Sequence, residues 1–219
     1  MMNIFFLLTL FYLFLLSSFY ITGFSIARKI NLSYIHFPIS LTVGMTIAVI
    51  FFTVGFMVSL PKELVMVLYL LYVVLNFIFF EQKILKLIKQ TLLKFGFNSI
   101  FLIILSLFLI LISSNEPGLW DDTMYHLPYA KDFAENNSEY PNFSFRYFFP
   151  LSGEILYSLS FLFKLNEYGA QLISLFPIFI ASILLLNISD QKKVNNFHKL
   201  IFIISFIAFD PIIEILGYA

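Results

Sequence analysis

The chain has no cysteine, which excludes disulfide bonds, thiolate metal sites and cysteine nucleophiles at once. Charge is nearly as scarce. Acidic and basic residues make up 12% of the 219 positions, against about a quarter in an ordinary soluble domain. The 13 bases and 13 acids cancel, so there is no global basic surface to attract nucleic acid, and none is expected as a partner. The three histidines, His36, His126 and His198, are too scattered to form a metal-ligand spacing.

What fills the space is apolar: 60% of residues are hydrophobic, 20% are aromatic, and the mean hydropathy is +0.93. Such a chain is an integral membrane protein whose surrounding partner is membrane lipid. The first apolar run, Ile4–Ile26, lacks a basic leader and a small-residue cleavage pattern. It also exceeds the ~7–15 residues of a signal-peptide core, so it reads as a retained helix.

Six runs approach the ~20 residues needed to span a bilayer: Ile4–Ala27, Phe37–Leu60, Leu64–Phe80, Phe95–Ser113, Tyr168–Ile188 and Leu200–Leu216. A seventh, Ile155–Phe163, is too short and is expected at the interface. The fold class this predicts is all-α: a polytopic helical bundle of about six spans, with an external loop carrying short interfacial helices. The densest basic loop, Glu81–Lys94, holds Lys83, Lys86, Lys89 and Lys94 and belongs in the cytoplasm. Counting from it, Lys192 and Lys193 are also cytoplasmic and the loop 114–167 is external. The chain then divides into 1–94, the N-terminal helices with the basic loop, and 95–219, a core that begins with the external loop.

That loop contains Trp120-Asp121-Asp122-Thr123-Met124-Tyr125-His126-Leu127-Pro128. Two adjacent carboxylates just beyond a membrane helix suit a divalent metal with a phosphate, or a general base for an acceptor hydroxyl. They equally suit solvated acids, with Asp122 capping a short helix through Ala134 that breaks between Tyr125 and Pro128. If the stretch is helical, Asp121 and Tyr125, and Asp122 and His126, pair at i, i+4. Lys131 and Arg146 are nearby cations; Arg146, between aromatics, is also an interfacial anchor in kind. Glu154 follows Pro150 at a helix start, where a carboxylate also favours the helix dipole. The expected posture of 151–164 is flat on the membrane, with Phe161, Leu162 and Phe163 dipping in.

The ordered set WDDTMYHLPYAK, then FFPLSGEILYSL and a helix ending in lysines, resembles the GT-C superfamily of polytopic glycosyltransferases. The likeness is to bacterial members reading W-D-x-x-x-Y-H-L-P, and it covers roughly Phe95 to Ala219. It implies an inverting enzyme that moves a sugar from a polyprenyl-phosphate donor to a glycan, lipid or protein acceptor. The work would be done on the outer face of a bacterial inner membrane, in cell-envelope synthesis. By the same resemblance Asp121 is the catalytic base and Asp122 its partner; both are candidate ligands for Mg or Mn. Tyr125, His126, Lys131, Arg146 and Glu154 are the implied substrate contacts. The superfamily usually places this loop after its first span, whereas here it follows the fourth. Its members also continue through further spans, which implies that this is the N-terminal part of a longer protein. Two rivals stand beside it: a transporter or flippase using Asp210 and Glu214 around Pro211, and an O-antigen ligase or polymerase.

Overall fold

A computed structural model describes residues 3–29, 36–58, 60–92, 96–114, 127–135 and 152–207. Among them are eight helices and no strand: α1 Ile4–Ala27, α2 His36–Met57, α3 Lys62–Leu92, α4 Phe97–Ile112, α5 Leu127–Glu135, α6 Ser152–Leu162, α7 Asn166–Gln191 and α8 Asn196–Ile207. The chain is an all-α bundle. Lipid leaves no other choice to a chain without a closed barrel, because each backbone N–H and C=O must be bonded within its own helix.

Four segments are long and apolar enough to cross a membrane: Ile4–Ala27, His36–Gly55, Lys62–Lys86 and Asn166–Gln191. The 16 residues of α4 and the 12 of α8 are shorter. At 1.5 Å per residue they reach roughly 24 and 18 Å, against the ~30 Å of a hydrocarbon core. The expected spans at these places, Phe95–Ser113 and Leu200–Leu216, each run in part outside the described residues.

The bundle turns its large apolar residues outward. Ile78, Phe79, Ile104 and Leu111 are at least 60% exposed, as lipid-facing side chains are. Inside, contact depends on small residues and on rings. α1 and α2 cross backbone to backbone: a Cβ at Gly23 would run into the Ser40 carbonyl, and one at Gly44 into the backbone of Phe19. α1 meets α7 through the Tyr12 ring, edge-on to Phe176 at 5.8 Å and to Phe179 at 5.6 Å, while Phe19 meets Phe176 at 5.5 Å. The Tyr12 hydroxyl pairs with Ser106 of α4 at 3.0 Å.

One expected boundary is corrected. The run ending at Phe80 and the basic loop Glu81–Lys94 are not span and loop; helix α3 continues unbroken to Leu92. The reason is local. Residues 81–92 contain neither Gly nor Pro and consist largely of strong helix formers, so the helix outlasts the apolar run. The Arg28 guanidinium, just past α1, lies 4.5 Å over the Phe80 ring, so the end of α1 is level with the end of that run. Beyond it α3 extends for about 18 Å. At the same end of the bundle Asp190 of α7 accepts from Asn98 of α4 at 2.6 Å and pairs with the buried Lys199 of α8.

Candidate functional site

The two short helices between α4 and α7 fold back into the bundle. α5 has Pro128 in its first turn, where the missing N–H has no partner to lose. Leu127, Ala130 and Ala134 are buried and recur at helical spacing, which seats α5 against α6. Lys131 is on the opposite face. It lies 3.9 Å from Glu135, one turn on, and both side chains are more than half exposed.

α6 runs antiparallel to α7. Lys164 and Asn166 have φ of 58° and 50°, and this pair of left-handed residues turns the chain sharply. The Ser160 hydroxyl then bonds the Asn166 carbonyl, and a Cβ on Gly169 would collide with Ser160. Further along, Gly153 and Tyr157 of α6 face the same cleft as Ser174 and Pro177 of α7. The N-terminal end of α6 is thus level with the middle of α7. Phe176, adjacent to Pro177, touches Tyr12 and Phe19, which bracket the middle of α1.

This corrects the expected posture of 151–164. α6 does not lie flat with its apolar face in lipid: Ile155, Leu156 and Leu159 are buried in the protein core. Phe163, at its C-terminal end, packs on Phe11 and Phe14 at centroid distances of 5.3 and 4.9 Å. Small side chains permit it. Ser158 and Ser160 are fully buried and return their hydroxyl hydrogens to backbone carbonyls, so the helix can approach its neighbours without leaving those polar groups unbonded.

Glu154 is carried inward with it. The side chain is 5% exposed, in the first turn of α6, level with the middle of the long helices. The helix dipole favours a carboxylate there, and the side chain also interacts with a neighbouring group. An ionisable group at this depth marks a working site more often than a structural one.

Of the seven residues the sequence singles out, Lys131 and Glu154 are described, on two helices that pack together. Asp121, Asp122, Tyr125, His126 and Arg146 lie outside the described residues, as do the i, i+4 pairings and the metal ligands proposed among them. Among the described residues no three metal-capable side chains cluster.

Sequence reasoning missed the cleft itself. It measures about 490 Å3 between α2, α6 and α7, and its polar lining comes from Thr42, Thr46, Tyr157 and Ser174. It also missed Gln171, which is 4% exposed with neither amide atom hydrogen-bonded, and Ser182, three turns further along the same face of α7 and also unbonded. The signal was there in kind: Gln171, Ser174, Pro177 and Ser182 interrupt a run that lipid contact alone would leave apolar.

A family model described as Domain of unknown function (DUF8201) matches residues 2–135, well over half of the chain, from α1 through α5 and including the Trp-Asp-Asp segment. An uncharacterized protein of Shigella flexneri is 29% identical over 125 residues, covering 56% of this chain and 62% of that protein. The chain thus spans less than two thirds of that relative's length. No solved structure matches.

Proposed function

The chain belongs to the family described as Domain of unknown function (DUF8201), and we propose that it is a membrane glycosyltransferase of the GT-C kind, using a polyprenyl-phosphate sugar. The observation that carries this reading is the buried Glu154 carboxylate, brought to mid-bundle depth by a helix of the same loop that holds Asp121 and Asp122. Sugar transfer from a lipid phosphate wants such a place. Attack at the anomeric carbon forms one C–O bond as the bond to phosphate oxygen breaks, with the acceptor proton passing to a carboxylate on the opposite face. Asp121 takes that proton and Asp122 orients it; the two carboxylates would also be the ligands for Mg or Mn, which would supply positive charge to stabilise the departing phosphate. Glu154, whose side chain is not among those lining the neighbouring cleft, is a contact for the acceptor, and a site closed to water protects the donor from hydrolysis. The acceptor is a glycan, lipid or protein at the outer face of a bacterial inner membrane.

Turnover of a polyprenyl-phosphate sugar by the purified complete protein tests this, against Asp121→Asn at equal folded yield. Loss of the base is expected to reduce the rate by about 10²–10⁴-fold. Wild-type turnover in the variant overturns the role of Asp121, and absence of any transferred sugar overturns the reading. One observation favours a second reading. A buried carboxylate beside a proline-interrupted helix is also how transporters build a pathway, and passage of lipid-linked sugar across vesicles without a new glycosidic bond would identify a flippase.

A further inference from the structure

We infer, resting on the glycosyl-transfer reading, that the cleft between α2, α6 and α7 seats a sugar ring carried in on its lipid, and not the anionic phosphate of that lipid.

The argument is one of donors and acceptors. The Thr42 hydroxyl donates to the Pro38 carbonyl at 3.0 Å, Thr46 to the Thr42 carbonyl at 3.0 Å, and Ser174 to the Gln171 carbonyl at 2.7 Å. Each hydrogen is used inside its own helix, so what these hydroxyls present to the cleft is lone pairs. Pro177 adds a fourth acceptor. It has no N–H, so the carbonyl of Ile173, which also lines the cleft, lacks the donor that a helix supplies four residues on.

The Tyr157 hydroxyl and the Gly153 N–H, which has no carbonyl partner within α6, are donors in the same wall, but the acceptors outnumber them, which matches a ligand whose hydroxyls both donate and accept. Phosphate and carboxylate bring no donors, and among the described residues that line the cleft none is charged to hold them. A sugar ring brings several hydroxyls, and the Tyr157 ring gives it an aromatic wall. The volume, about 490 Å3, falls within the roughly 300–1,000 Å3 of small-molecule sites. Thr42 and Thr46 are exposed and stand midway along α2, so the cleft opens sideways, toward lipid. A lipid-borne sugar reaches it without crossing water.

The absence of cysteine makes the test direct. Met45→Cys places the single thiol in the cleft wall without removing an acceptor. The whole chain in phospholipid nanodiscs is labelled with methyl methanethiosulfonate. The discs carry glucosyl- or galactosyl-diacylglycerol, diacylglycerol with the same chains, or phosphatidic acid. Slowing of the reaction severalfold by a glycosyl lipid alone is the expected result. Equal slowing by diacylglycerol makes the cleft a tail groove, greater slowing by phosphatidic acid makes it an anion site, and no slowing by any lipid leaves it to water; each overturns the inference. Adding Pro177→Ala, which returns the missing N–H, or Thr46→Val, which keeps the shape, should raise the glycolipid needed for half protection by roughly 2- to 10-fold each, the worth of one hydrogen bond. Thr46→Val is exposed and keeps the question open to failure if Pro177→Ala does not fold. Protection without sugar transfer by the complete protein would retain the cleft and defeat the enzyme; transfer that depends on Asp121 without protection would do the reverse.

Discussion

α3 and α7 are equally hydropathic helices of one bundle, yet 56% of the α7 apolar window is buried in protein against 17% for α3. Hydropathy separates lipid from water; it does not say which helix is central. The difference lies in the interruptions. α7 carries Gly169, Gln171, Ser174, Pro177 and Ser182 among its apolar residues, and all five are buried or line the cleft. α3 has Val, Leu, Ile and Phe on its outer side and presents them to lipid. In a membrane, large apolar side chains have no hydrophobic drive to leave lipid for protein and gain only packing contacts there, whereas small residues let backbones approach and polar ones gain partners. The centre of such a bundle is therefore marked by what is least apolar in its spans.

The largest effect expected on this contrast is all-or-none. α3 and α7 run the same way, so single cysteines at Lys86 and Lys192 should both escape an impermeant thiol reagent in intact cells while one at Lys131 reacts. Labelling of only one of the first pair would separate the two helices and break the comparison. Next, Phe176→Ala on α7, 1% exposed and in contact with three other rings, should cost ~3–5 kcal/mol by reversible denaturation in bicelles. Phe79→Ala on α3, 77% exposed, should stay within about 0.5 kcal/mol. Equal losses would mean that α3 has a protein neighbour. Smaller is Gly169→Val, where Ser160 has to move: about 1–3 kcal/mol in the same measurement, and no loss would show that the α6–α7 contact is slack. Last, Asp190→Ala should destabilise more than Lys199→Met, by on the order of 1 kcal/mol, because it leaves the buried ammonium with only the 3.5 Å contact to Asn196 Oδ1 while the reverse leaves a half-exposed carboxylate in reach of water.

The sequence made α1 legible to the residue. Asn3 caps it by accepting from the Phe5 N–H at 3.1 Å, and the apolar run stops at Arg28 and Lys29. α5, read as ending at Ala134, ends one residue later. α3 was misread because hydropathy reports solvent, while lysine, glutamate and glutamine keep a backbone helical in either medium. α6 was recognised as short and apolar, but no local pattern states whether such a helix meets lipid or protein. That is settled by Gly169 and Ser160, which are neighbours only in space. The burial of Glu154 follows from the same contact and was hidden for the same reason. The Trp-Asp-Asp segment, the strongest feature of the sequence, lies outside the described residues.

The crossing of α1 on α2 also sets an order in time. Its touching atoms belong to Phe19, Gly23, Ser40 and Gly44. Nothing synthesised after the second helix is needed to make it, whereas the Tyr12 ring has to wait for Phe176 and Phe179 of α7. The first two helices can therefore pair before the rest of the chain is in place, and a bulky residue at Gly44 would spoil that first contact before any later one.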